Sequence, residues 1–199
     1  MLKTERDPNN RGEEIKKLRW FVGVPLGTNP LILLDFFIVL AIAWLVSWLA
    51  LLALQFLFGG FLETSHLFGG AVVASYISLI FIALFLVICF LITRNHYAAL
   101  YRFDSSRVLC DNIRAHPRAL DGRLIHWKGY PIDPSFESIR NVERSVSWSD
   151  VTRIQPLHEL MVVLLRGKRG VLMRVYCPDE STFQQALAFA QKHCAGNTK

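Results

Sequence analysis

Residues 31–58 read LILLDFFIVLAIAWLVSWLALLALQFLF, and residues 71–92 read AVVASYISLIFIALFLVICFLI. The first run carries one charge, Asp35, and the second carries none. No Lys or Arg occurs between Arg19 and Arg94. At about 1.5 Å per residue the second run spans about 33 Å and the first about 42 Å, against a hydrocarbon core of roughly 30 Å. The surplus length of the first is absorbed by tilt or by ends that sit among headgroups. A chain that is 52% hydrophobic is compatible with a soluble domain, so clustering and not composition decides. Core helices of soluble proteins are shorter and carry a polar stripe, which neither run has. A signal peptide has a shorter apolar region that begins nearer the start. The runs therefore predict a hairpin of two transmembrane helices.

Working outward, basic residues flank the hairpin and are absent from its middle. Lys3, Arg6, Arg11, Lys16, Lys17 and Arg19 precede it, Arg94, Arg102 and Arg107 follow it, and Gly59–Gly70 has none. Short loops rich in Lys and Arg stay cytoplasmic, so both termini are expected there. Asn29-Pro30 has the chemistry of a helix start. Asp35 lies one turn later. It reads either as an interfacial carboxylate favoured by the helix dipole or as an intramembrane polar contact. Glu63 and His66 are expected to be solvated on the connecting loop. Residues 1–30 form a cytoplasmic arm. Within it, Ile15, Leu18, Phe21 and Val22 fall near one helical face beside Lys16, Lys17 and Arg19. Residues 13–22 therefore read as a short interfacial helix with Trp20 at headgroup level, or as a basic flank that only fixes topology.

Composition changes at residue 93. From there to residue 199 there are 16 Lys or Arg and 10 Asp or Glu, enough chain for one small domain. Its pattern is mostly β. Strands are expected at Tyr97–Phe103, Arg107–Cys110, Ser145–Trp148, Leu160–Arg166 and Val171–Tyr176, with turns at Asp104–Ser106 and Gly167–Gly170. Residues 111–138 are ambiguous, with one plausible strand at Arg123–Trp127. Ser181 and Gln184 have capping-box spacing. Phe183, Leu187, Ala190 and Cys194 then share one face of a closing helix, and Gly196 stops it.

A Trp-x-Asp-Val-x-x-Ile segment, Trp148 to Ile154, sits between strands that leave a transmembrane hairpin and a closing helix. Together with Arg94–Tyr97, Tyr101–Asp104, Arg107–Leu109 and the hairpin Leu160–Tyr176, this order resembles the bacterial pleckstrin-homology-like (PH-like) membrane proteins over roughly residues 94–195. The resemblance implies a seven-stranded, strongly bent antiparallel sheet, or partial barrel, capped by the helix. It also implies a binding or scaffolding module at the bacterial inner membrane. Some eukaryotic relatives bind phosphoinositides through a basic first hairpin. Here that turn offers only Arg102 and Arg107 around Asp104, so that activity is not carried over. Residues 111–147 are long for the loops they would fill.

The expected fold is thus a membrane hairpin at 31–92 and a PH-like domain at 93–199. No Gly-x-Ser-x-Gly or glycine-rich phosphate loop occurs, and the histidines lack helical metal spacing, so no enzyme, cofactor or metal is expected. Cys89, Cys110, Cys177 and Cys194 have no C-x-x-C spacing and read as small buried hydrophobes. Lys16, Lys17, Arg19, Trp20, Arg166, Lys168, Arg169 and Arg174 are candidate contacts to headgroups or a partner. A basic residue near an anionic leaflet contributes about 1 kcal/mol. Trp44, Ser47, Trp48, Ala74, Ser75 and Ser78 suit helix packing. Expected partners are membrane lipids and a protein partner or second copies of the chain, not nucleic acid. The functional expectation is a non-enzymatic membrane-anchored scaffold. Its alternative is an accessory subunit of a transport or enzyme complex, with Asp35 facing a partner helix.

Overall fold

The computed structural model describes residues 17–59, 61, 63–95, 97–113, 127–132 and 141–195. The chain forms two compact units. One is Leu26–Asn95; the other joins the chain up to Pro25 with the chain from His96 onward.

The first unit is a helical hairpin. α1 spans Pro30–Gly59, and α2 spans Thr64–Leu86 and continues as a π-helix over Val87–Ile92. Both are long and apolar enough to cross a membrane. The helices run antiparallel: Phe36 stacks on Phe85 at 3.9 Å, Trp44 Nε1 donates to Ser75 Oγ at 3.1 Å, and Trp48 Nε1 donates to the Leu67 carbonyl at 3.1 Å. α2 starts seven residues before the expected Ala71. Glu63 is its N-cap, its backbone N–H donates to His66 Nδ1, and its carboxylate accepts from Ser65 Oγ. Glu63 and His66 are thus cap residues. Gly70 does not break the helix; a Cβ there would lie 3.3 Å from Trp48 Cδ1, so it lets the helices approach. Gly70 and Ala74 are buried in α2, and α1 buries nothing. At the open end, Asn95 adopts a left-handed φ of 58°. Its side chain accepts from the Gly27 N–H at 2.6 Å and donates to Thr28 Oγ1 at 3.1 Å, tying the two chain ends together.

Among its described residues the second unit holds seven strands and an α-helix. β1 (Lys17–Val24), β2 (Tyr97–Asp104), β3 (Arg107–Ile113) and β4 (Asn141–Ser147) form one antiparallel sheet in that order. β5 (Arg153–Leu157), β6 (Val162–Gly167) and β7 (Gly170–Tyr176) form another, and α3 (Glu180–Ala195) closes the chain.

β1 corrects the expected interfacial helix. In KLRWFVGV the side chains of Leu18, Trp20, Val22 and Val24 are buried, as is Gly23, with Lys17 and Arg19 exposed. That is period two, and β2, some eighty residues on, supplies the partner: Lys17 lies opposite Asp104 and Val24 opposite Tyr97. The arm reading therefore fails from residue 17 onward, and the helical hairpin is an insertion between two paired strands. Gly23 exchanges backbone hydrogen bonds with Tyr130, and a Cβ at Gly23 would fall 2.5 Å from the Tyr130 ring.

Smaller corrections have local causes. β5 adds to the expected strands; Pro156 lies within it, and as an edge strand of its sheet it tolerates the missing donor. His158–Leu160 is a 3-10 turn that ends in left-handed Met161, so β6 begins at Val162 and not Leu160. Trp148 likewise sits in a 3-10 turn after β4. Asp179, not Ser181, caps α3: its Oδ1 accepts from the Thr182 N–H at 2.8 Å. Arg123–His126 and Gly196 lie outside the described residues, and Trp127 is in a bend.

The core joins both sheets to α3. Trp20 stacks on Tyr101 at 5.6 Å, lies 5.0 Å from Phe103, and donates through Nε1 to the Tyr176 carbonyl of β7 at 2.9 Å. Phe103 meets Trp148 at 5.5 Å and Phe189 of α3 at 5.7 Å. Trp148 Nε1 donates to the Asp104 carbonyl at 2.8 Å.

Candidate functional site

Strand alternation that turns Trp20 inward turns Lys17 and Arg19 outward. The β1–β2 register sets Arg19 directly opposite Arg102. The tight β2–β3 turn sets Arg102 opposite Leu109, with Asp111 two residues further along β3. Arg102 Nη2 and Asp111 Oδ2 form an ion pair at 2.6 Å, the Asp111 side chain being 5% exposed and that of Arg102 37%. The Arg19 guanidinium lies over the Phe21 ring, 5.2 Å from its centroid. Lys17, Arg19, Arg102, Asp104 and Leu109 line a cavity of about 240 Å³, floored by Leu18 and Phe103.

The other expected residues separate. Trp20 is a correction: it is 1% exposed and belongs to the core, not to a headgroup layer, because its neighbours in period two are all inward. Arg166 lies opposite Arg153, and its Nη1 donates to Gln155 Oε1 at 3.2 Å. Arg174 pairs with Leu164 on the next strand and is half-buried. Lys168 and Arg169 are exposed at the β6–β7 turn, where Gly170 takes a φ of 135°. Lys16 lies outside the described residues. Asp35 is exposed in the second turn of α1.

Arg102 and Asp111 had been missed as site residues. A two-residue turn at Ser105-Ser106 fixes their spacing across the β2–β3 hairpin, so that signal was in the sequence. The juxtaposition with Arg19 depends on β1 and was not.

Two buried thiols of this unit, Cys110 and Cys177, are not poised as nucleophiles. Burial pushes Cys110 up to about 11 and Cys177 higher still, which keeps both protonated. Burial also raises Tyr101 well above the usual phenol range, and its hydroxyl donates to the Arg174 carbonyl at 2.8 Å. Among the described residues no three His, Cys, Asp or Glu side chains converge as a metal site. Compared with known proteins, the chain matches no family model, no curated protein and no solved structure.

Proposed function

We propose that this chain is an integral membrane protein whose helical hairpin crosses the bilayer twice. It displays a PH-like domain at the cytoplasmic face as a non-enzymatic interaction module for a protein partner or further copies of itself. The observation that carries the reading is the bare apolar surface of the hairpin. No residue of α1 is buried, and Leu57, Phe58, Phe68 and Leu91 are all more than 70% exposed. Water is a poor solvent for such a surface and lipid tails are a good one.

The insertion between β1 and β2 supports an even number of crossings. Val24 and Tyr97 are register partners, so the chain must leave and re-enter the β-domain on one side of the bilayer. Lys17, Arg19 and Arg94 flank the hairpin, and Gly59–Gly70 lacks Lys and Arg, which supports a cytoplasmic domain. The PH-like reading is supported by four plus three antiparallel strands followed by a helix.

Alkaline carbonate extraction of membranes tests the reading. The wild-type chain is expected to stay in the membrane pellet. Ala83→Arg puts a charge within the second span at about 2.5–3.5 kcal/mol, and is expected to lower membrane accumulation severalfold. A soluble, folded product without detergent contradicts the proposal.

A further inference from the structure

The cavity on the outer face of β1, β2 and β3 carries an arrangement that the fold alone does not favour. Arg19 and Arg102 face each other directly across the β1–β2 ladder. Like charges in that position destabilise a sheet. The neighbouring groups relieve this only in part. Asp111 takes one end of Arg102, and Lys17 lies opposite Asp104. Arg19 rests over Phe21 with no carboxylate opposite it. Among the described residues, the buried Nε of Arg102 and the buried Oδ1 of Asp111 meet no hydrogen-bond partner. The five charged groups leave a surplus of one positive charge around a cavity much larger than the roughly 30 Å³ of a water molecule.

We propose that this cavity binds a phosphate-class oxyanion held between the guanidinium groups of Arg19 and Arg102, with Lys17 as a third cation. Guanidinium forks match the oxygen geometry of phosphate and make short, charge-assisted hydrogen bonds to it. Asp111, almost fully buried, fixes Arg102 from behind, and the Phe21 ring supports Arg19 from below, so both forks are held before the anion arrives. The bound anion removes the repulsion across the ladder. The phosphate can belong to a soluble ion or to an anionic phospholipid headgroup. The site needs only the β-domain, so it does not depend on the hairpin crossing a bilayer.

The test uses the full chain in detergent micelles, with two arms. Isothermal titration with inorganic phosphate reads the soluble source. Phospholipid phosphorus kept after washing, from preparations doped with phosphatidylglycerol, reads the lipid source. Arg19→Gln keeps a polar group at this exposed position and removes the guanidinium fork with its charge. Arg153→Gln, exposed on β5, is the equal-charge control. Saturable binding in either arm, weakened on the order of tenfold by Arg19→Gln and unchanged by Arg153→Gln, bears the proposal out and names the source. Arg19→Lys is expected to fall between wild type and Arg19→Gln, because it keeps the charge and loses the fork. No saturable binding in either arm, or equal loss in Arg19→Gln and Arg153→Gln, overturns it.

Discussion

The hairpin and the β-domain solve opposite problems. In the hairpin, apolar side chains point outward along α1 and α2, and polar groups such as Ser75, Ser78 and Thr93 are turned onto carbonyls of their own helix. In the β-domain, the large apolar residues Trp20, Phe103, Phe183 and Leu165 are inside and the cations outside. The hairpin is continuous in sequence. The β-domain is split by it, with β1 on one side of the insertion and the other six strands on the other. The comparison teaches that the hairpin is not appended to the domain: a strand of the domain precedes it, and the domain is incomplete until both helices have been made.

The largest effect should come from the residue that joins the two halves of the split domain. Trp20→Ala removes a buried aromatic ring and its bond to Tyr176, at a cost of about 3–5 kcal/mol. Limited proteolysis in mild detergent should then cut the β-domain while the hairpin stays protected. If Trp20 served only at the membrane surface, the β-domain would keep its wild-type resistance.

Next comes the close approach over β1. Gly23→Ala pushes a methyl group into the Tyr130 ring and should cost about 1–3 kcal/mol, read as a lower midpoint in thermal unfolding of the β-domain. An unchanged midpoint would mean that the segment around Tyr130 does not lie against the strand.

The smallest effect concerns α3. Asp179→Ala removes its cap and should cost about 0.5–2 kcal/mol. Burial pushes the Asp179 carboxyl up, but hydrogen bonds from Ser181 and Thr182 outweigh it and leave the group below its ordinary value of 3.8. A carboxyl lowered in the folded state stabilises fully above its unfolded value. That contribution fades as pH falls below about 3.8 and through the lower folded value. Wild type and Asp179→Ala should therefore converge in stability at acid pH. A difference that persists there would assign the effect to something other than the ionised cap.

The two regions also differed in legibility. The hairpin could be read from the clustering of apolar residues, because a helix able to cross a membrane needs only length and the absence of charge. Its turn could not: Gly69-Gly70 resembles a break, and only packing against Trp48 shows why a glycine belongs inside α2. In the β-domain, local hairpins were readable where turn chemistry marked them, at Ser105-Ser106 and at Gly167–Gly170. β1 was not, because KLRWFVGV satisfies a helical and a strand period at once, and the partner that decides lies beyond the hairpin. The candidate site inherits that gap. Arg102 and Asp111 follow from a local turn, whereas Arg19 reaches them only through the long-range pairing.

The central claim, that two spans split a domain whose parts lie on one side of a membrane, is tested most directly by labelling with a membrane-impermeant thiol reagent. Single cysteines replace Lys17 in β1, Phe61 between the helices and Lys168 at the β6–β7 turn, with the wild-type chain as background. In sealed right-side-out vesicles only the residue-61 cysteine should label, and those at 17 and 168 should label together once the membrane is opened. Labelling of positions 17 and 168 from opposite sides, or of all three from one side, would contradict the account.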